Sequence, residues 1–155
     1  MRRRRAKLRA ATPDSKFNDA MAGKFINSLM RDGQKYTAEK IFYTALQKIE
    51  EKTKKQGIEV FRTAMENIKP TMEVKARRIG GATYQVPSPV RPSRKMALAI
   101  RWIISAAREK KGLPMADKLA EEFMLASEEK GNAFKKKEDT HKMAQANKVF
   151  AHFKW

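Results

Sequence analysis

The chain has no cysteine, which excludes disulfides and thiolate metal sites and fits a reducing compartment. It has two histidines, His141 and His152, eleven residues apart and with no pattern of carboxylate ligands beside them. A structural or RNA-contacting histidine fits that pattern better than a metal ligand, and no cofactor is expected. No apolar run approaches the roughly 18 residues of a membrane span. The longest, residues 96–107, is interrupted by Arg101 and Ser105. The N-terminus lacks the apolar stretch of a signal peptide. The phosphate-binding spacing GxxxxGK[ST] is missing, and "RRIGGAT" does not supply it. Glu121/Glu122 and Glu128/Glu129 read as the solvated face of a helix, not as a catalytic pair. No enzymatic site can be assembled from what remains.

Acid is scarce too. Against 35 lysines and arginines stand 17 aspartates and glutamates, a net charge of +18. A compact chain with that excess repels itself, so a partner of opposite charge is implied. The excess is also placed. Residues 1–16 carry +6 and residues 74–95 carry another +6 with no acid at all, so two short segments hold two-thirds of it. That distribution marks contacts and not general solubilisation.

Most of the chain is helical in pattern. Residues 1–16 read as a basic arm that orders on a polyanion. A single domain, residues 17–155, is expected to follow. Asn18 or Asp19 caps a first helix with Ala22, Phe25, Ile26, Leu29 and Met30 inward, ended by Gly33. Thr37 is positioned to cap a second, with Ile41, Phe42, Ala45, Leu46 and Ile49 on one face. A third follows Gly57 and stops before Pro70. Ser93 is the expected cap of a fourth, apolar nearly all round and so expected at the bundle centre with Trp102 in the core. A fifth carries Leu119, Ala120 and Phe123, and a weakly amphipathic sixth leads into the tail at about 149–155. The Lys135-Lys136-Lys137 run fits an exposed helix face. The aromatics and cations of the tail suit RNA stacking and docking back on the body about equally.

Residues 74–91, "VKARRIGGATYQVPSPVR", break the pattern. Val74, Ala76, Tyr84, Val86 and Val90 alternate with polar or cationic neighbours, and Gly80-Gly81 lies between the two arms, the signature of a β-hairpin at about 72–91. A two-residue turn pairs Ala76 with Gln85 and mixes the faces. A three-residue loop, residues 80–82, pairs Ala76 with Val86 and Arg78 with Tyr84, collects the apolar residues on one face, and is the expected register. Pro87 and Pro89 remove donors from one edge only, so the hairpin is expected to be a lone ribbon, held at its base and protruding. Tyr84 suits base stacking and covering of the ribbon equally.

Three stretches, "RDGQKYTAEKIFYTALQKI", "KPTMEVKARRIGGATYQVPSPVRPSRKMALAIRWIISAAR" and "KKKEDTHKMAQANKVFAHFKW", strongly resemble the bacterial-type ribosomal protein seven family of the small subunit, and the likeness runs from the arginine run to the terminal tryptophan. The resemblance implies a mainly α fold: a single-domain bundle of about six helices with one protruding two-stranded β-hairpin between helices three and four. It implies binding to small-subunit rRNA in the 3′ major domain, nucleation of head assembly, and a hairpin near the exit-site tRNA and mRNA path close to the decoding centre. Ribosomal proteins nine and eleven of the small subunit are the implied neighbours, without a membrane or a homo-oligomer. Carried over by position, Arg2, Arg3, Arg4, Arg5, Lys7, Arg9, Lys75, Arg77, Arg78, Arg91, Arg94 and Lys95 are the implied rRNA contacts. Ile79, Gly80, Gly81, Ala82, Thr83 and Tyr84 are the part nearest tRNA. Thr71 and Ser88-Pro89 depart from the residues the family often carries at the ribbon's base. The absence of a transit peptide favours a bacterial cytoplasm over a plastid origin. From charge alone the rivals are an architectural DNA-binding protein with a basic β-arm and a peripheral membrane protein. The second would place its cations beside one apolar helix face, whereas here they cluster on non-helical segments.

Overall fold

A computed structural model describes residues 12–153 of the chain, which divides into two compact units, Met1–Lys40 and Ile41–Trp155.

In the first unit, α1 (Ala20–Leu29) starts where Asp19 takes an extended backbone and its carboxylate accepts from Met21 N at 2.7 Å. That is the N-cap geometry that satisfies an otherwise orphaned helix donor. Asp14 is buried and accepts from Lys16 N and Phe17 N at 3.1 and 3.0 Å, folding the segment before α1 into a turn. Gly23 permits this approach, because a Cβ there would run into the Thr12 carbonyl oxygen. Asp32 and Gly33 both take positive φ, and α2 (Lys35–Thr53) begins at once. Its first hydrogen bond runs from Ala38 N to Gln34 O, so Thr37 lies inside the first turn and is not the expected cap.

The second unit is built on α3 (Gly57–Ile68), α4 (Pro92–Glu109), α5 (Met115–Ser127), α6 (Asn132–Ala146) and a short 3-10 helix, Lys148–Phe153, with the greater part of α2. Between α3 and α4 come β1 (Met72–Ile79) and β2 (Ala82–Pro89), an antiparallel pair and the one sheet among the described residues. The mainly helical class and the position of the hairpin are as expected from the sequence.

Phe42, Phe61 and Phe123, from α2, α3 and α5, are fully buried. Their rings meet edge to face, with centroids 5.2 Å apart for 42–61, 5.3 Å for 61–123 and 6.4 Å for 42–123. The near-perpendicular arrangement sets ring edges against the negative faces of their neighbours. Gly57 lets α3 close on α2, since a Cβ there would lie 2.6 Å from the Leu46 carbonyl oxygen.

Three further expectations about the helices need correction. Helix α4 starts at Pro92, whose fixed φ suits the first helical position, so Ser93 is not the cap. The same helix is not buried all round: Arg101, Ser105 and Arg108 form an exposed stripe, and Trp102 beside it is only half-buried. Glu122 is not solvated at all. It is fully buried one turn after Leu119, where Oε1 accepts from Ala133 N at 2.9 Å and Oε2 lies 3.1 Å from Lys110 Nζ. The carboxylate thereby caps α6 from a neighbouring helix, the anion placement that a helix N-terminus favours.

Among the described residues no helix is long and apolar enough to cross a membrane, and no group of three or more metal-ligating side chains converges.

Candidate nucleic-acid interface

The ribbon is closed by Gly80 and Gly81 alone, with φ of +56° and +91°. Positive φ at both central residues is the mirror-image turn whose twist matches that of paired strands, and glycine adopts it without steric cost. The register follows: Ile79 opposes Ala82, Arg77 opposes Tyr84, Lys75 opposes Val86, and Val74 opposes Pro87. The three-residue loop expected from the sequence is therefore wrong.

The physical reason lies in the prolines. Antiparallel pairs alternate between hydrogen-bonded and non-hydrogen-bonded, counting outward from a hydrogen-bonded closing pair. In the observed register Pro87 and Pro89 fall at non-hydrogen-bonded positions, where a missing N–H breaks nothing, and Val90 N still reaches Thr71 O at 3.0 Å beyond them. The three-residue loop would have placed both prolines at hydrogen-bonded positions. Donor supply outweighed the sorting of apolar side chains, several of which are too small or too exposed to matter. Val86 and Tyr84 consequently share a face with Lys75 and Arg77, while Val74 and Ala76 share the other with Pro87 and Gln85.

Burial along the ribbon is graded. Glu73, Val86, Pro87 and Ser88 are buried at the base, whereas Lys75, Arg77, Arg78 and the Gly80–Thr83 tip are exposed and Ile79 is half-buried. A hairpin lying flat on the bundle would not show that gradient. At the base His141 Nε2 accepts from Thr71 N at 3.0 Å. Burial and the nearby Lys137 ammonium lower the pKa of His141, which favours the neutral imidazole that this acceptor role requires.

Further out, Tyr84 meets Phe150 and Phe153 of the 3-10 helix at centroid distances of 5.3 and 5.4 Å. Tyr84 thus packs against protein rings, and Phe150 and Phe153 of the tail fold back onto the ribbon.

Of the expected contact residues, Arg91, Arg94 and Lys95 lie at the start of α4, the first two exposed and the third half-buried. The structure joins two of the proposed cations through one acid. Glu73 Oε2 accepts from Arg94 Nε at 2.7 Å, and Oε1 is 3.3 Å from Lys75 Nζ. Arg77 and Arg78 point to opposite faces of β1. Arg2, Arg3, Arg4, Arg5, Lys7 and Arg9 lie outside the described residues. Sequence reasoning missed Glu73, which stands one residue before the acid-free segment. The available signal was the first turn of α4, where cations sit at the positive helix end with no acid among them.

These features join a comparison with known proteins. The family described as Ribosomal protein S7p/S5e matches residues 1–148. The chain is 57% identical to the small ribosomal subunit protein uS7 of a Sulfurovum species and 56% identical to that of Thermotoga petrophila, over 155 residues and the full length of each pair. It is 58% identical over 156 residues to the protein of the same name from Campylobacter jejuni subsp. jejuni, again over the full length of both. A whole-length match at this identity, on a helical fold with a basic ribbon, places the chain in the ribosomal protein S7p/S5e family.

Proposed function

We propose that this structural constituent of the small ribosomal subunit binds rRNA directly in the 3′ major domain and nucleates assembly of the head. The ribbon tip, residues 79–84, then lies near the exit-site tRNA and the mRNA path, with ribosomal proteins nine and eleven as neighbours. Its place of work is the ribosome, in the cytoplasm, and its family is structural and not catalytic.

The observation that carries the reading is the protruding ribbon, whose exposed part bears Lys75, Arg77 and Arg78 and continues into Arg91, Arg94 and Lys95 at α4. A-form duplexes hide base edges in a deep, narrow groove, so proteins grip them through phosphates, 2′-hydroxyls and irregular junctions. A thin basic ribbon reaches such clefts where a helical bundle does not fit. Filter binding to transcripts of the 3′ major domain and to duplex DNA, at matched salt, tests the proposal. A preference for the transcript is expected, and a preference for DNA would make the chain an architectural DNA binder instead. Crosslinks within assembled subunits should map to peptides 1–16 and 74–95.

A further inference from the structure

The cations proposed to meet phosphate are not all held alike. Glu73 is only 6% exposed, while the Arg94 and Lys75 side chains that it touches are each 52% exposed. Ser88, directly opposite Glu73 on β2, is buried and its hydroxyl makes no hydrogen bond; Oε2 is held by Arg94 Nε, and Oε1, buried and without a hydrogen bond, has the Lys75 ammonium at ion-pair distance. Arg94 uses Nε for this contact, and its terminal Nη groups have no acceptor among the described residues. The guanidinium is thus fixed on one side and open on the other. Arg94 also lies in the first turn of α4, where cations oppose the helix dipole and no acidic residue compensates. Glu73 supplies that charge from the ribbon, tying the strand to the helix.

We propose that Glu73 is the positioning residue of the RNA interface: buried at the ribbon base, it fixes the Arg94 guanidinium through a hydrogen bond and keeps the Lys75 ammonium paired beside it, both toward the phosphates of rRNA. The inference rests on the reading that these cations contact RNA. Long cationic side chains lose rotamer freedom when they bind, and ordering them beforehand removes part of that loss from the binding step. Arginine suits the arrangement, because its planar fork offers Nε to one anion and Nη donors to a second, which a lysine ammonium does not do. The strand and α4 are also brought into one orientation, so the spacing between the two cations is set by the fold.

The test is a sign. Replacing Glu73 by glutamine removes a negative charge beside an anionic ligand, so simple Coulomb attraction calls for tighter binding. Positioning calls for the reverse. In filter binding of the full chain to a 3′ major domain transcript, Glu73→Gln should bind roughly three- to tenfold more weakly, and that difference should vanish in an Arg94→Ala, Lys75→Ala background. Arg94→Lys, which keeps both charge and Glu73, should also weaken binding. NMR of the free wild-type chain should show a slowly exchanging Arg94 Nε–H. Equal or tighter binding by Glu73→Gln, with Arg94→Ala still weakened, overturns the positioning role and leaves the interface standing. So does an Arg94 Nε–H that exchanges as freely as those of solvated arginines, a measurement that does not depend on any variant folding. Unchanged binding by the Lys75→Ala, Arg94→Ala double variant removes these cations from the interface and overturns both readings.

Discussion

The helical part of the second unit and the ribbon that projects from it are held together by different physics. Phe42, Phe61 and Phe123 fill their space edge to face with no polar group among them, so the fold there depends on volume. The ribbon has almost no such volume. It depends on the donors that its prolines lack, on two glycines at positive φ, and on polar ties at its base to His141 and Arg94. A packed core tolerates polar error badly, whereas a two-stranded ribbon, marginal in water by itself, survives only if its ends are fastened. One region is built for stability, and the other keeps its cations exposed.

That contrast can be broken most forcefully in the core. Phe61→Ala removes the ring that touches both others and should destabilise the protein by about 3–5 kcal/mol in urea unfolding. Next comes Glu122→Ala, which leaves the Ala133 N–H without its acceptor and the Lys110 ammonium with Glu121 as its remaining acid partner, and should cost about 2–4 kcal/mol. Amide exchange should show the start of α6 losing protection first. The ribbon should behave oppositely. Arg77→Ala with Arg78→Ala should shift the melting temperature by no more than about 2 °C. It should still weaken rRNA binding, and each lost phosphate contact should lower the log–log salt slope by about 0.7–0.9. A large loss of helicity in that variant would mean that the ribbon is part of the core, and the comparison would collapse.

The smallest effect concerns pH. The folded-state pKa of His141 is lowered from its ordinary value, chiefly by burial and secondly by Lys137. As pH falls, the unfolded chain takes up the proton first. The tie to Thr71 therefore contributes in full above the unfolded-state value, about 6.5, and is lost as pH falls through the lower folded-state value. Protection of the Thr71 amide should decline over that window, and His141→Gln should abolish the dependence.

Much of the fold could be read from the residues, because apolar spacing at helical period leaves few choices for α1 to α5. The ribbon's existence was equally legible from Gly80-Gly81 and the alternation around it. Its register was not, since small apolar side chains and proline donors pointed to different pairings and only the donors carried a real penalty. Glu122 was misread for a similar reason. A paired glutamate looks solvated until the end of another helix is brought to it, and that meeting is a tertiary event. Reading α4 as apolar nearly all round puts Trp102 in the core, although Arg101 and Ser105 already mark that side of the helix as polar. Thr37 and Ser93 failed as caps because their helices already begin at Lys35 and Pro92. In the candidate site the cations were visible as a charge pattern, but the acid that organises two of them lay just beyond its edge.

The two-residue turn and the prolines together restrict how this finger can change over evolutionary time. Pro87 and Pro89 stand at odd steps from the closing pair Ile79–Ala82, and every odd step is a non-hydrogen-bonded one. One residue inserted into a single strand shifts the pairing, and one inserted into each moves both prolines onto positions that need a donor. Only two residues per strand restore the alternation and return every cation to its face. A finger that keeps this turn and these prolines can therefore lengthen only in jumps of four residues, or about 7 Å of reach, so its length is quantised by the absence of two hydrogen atoms.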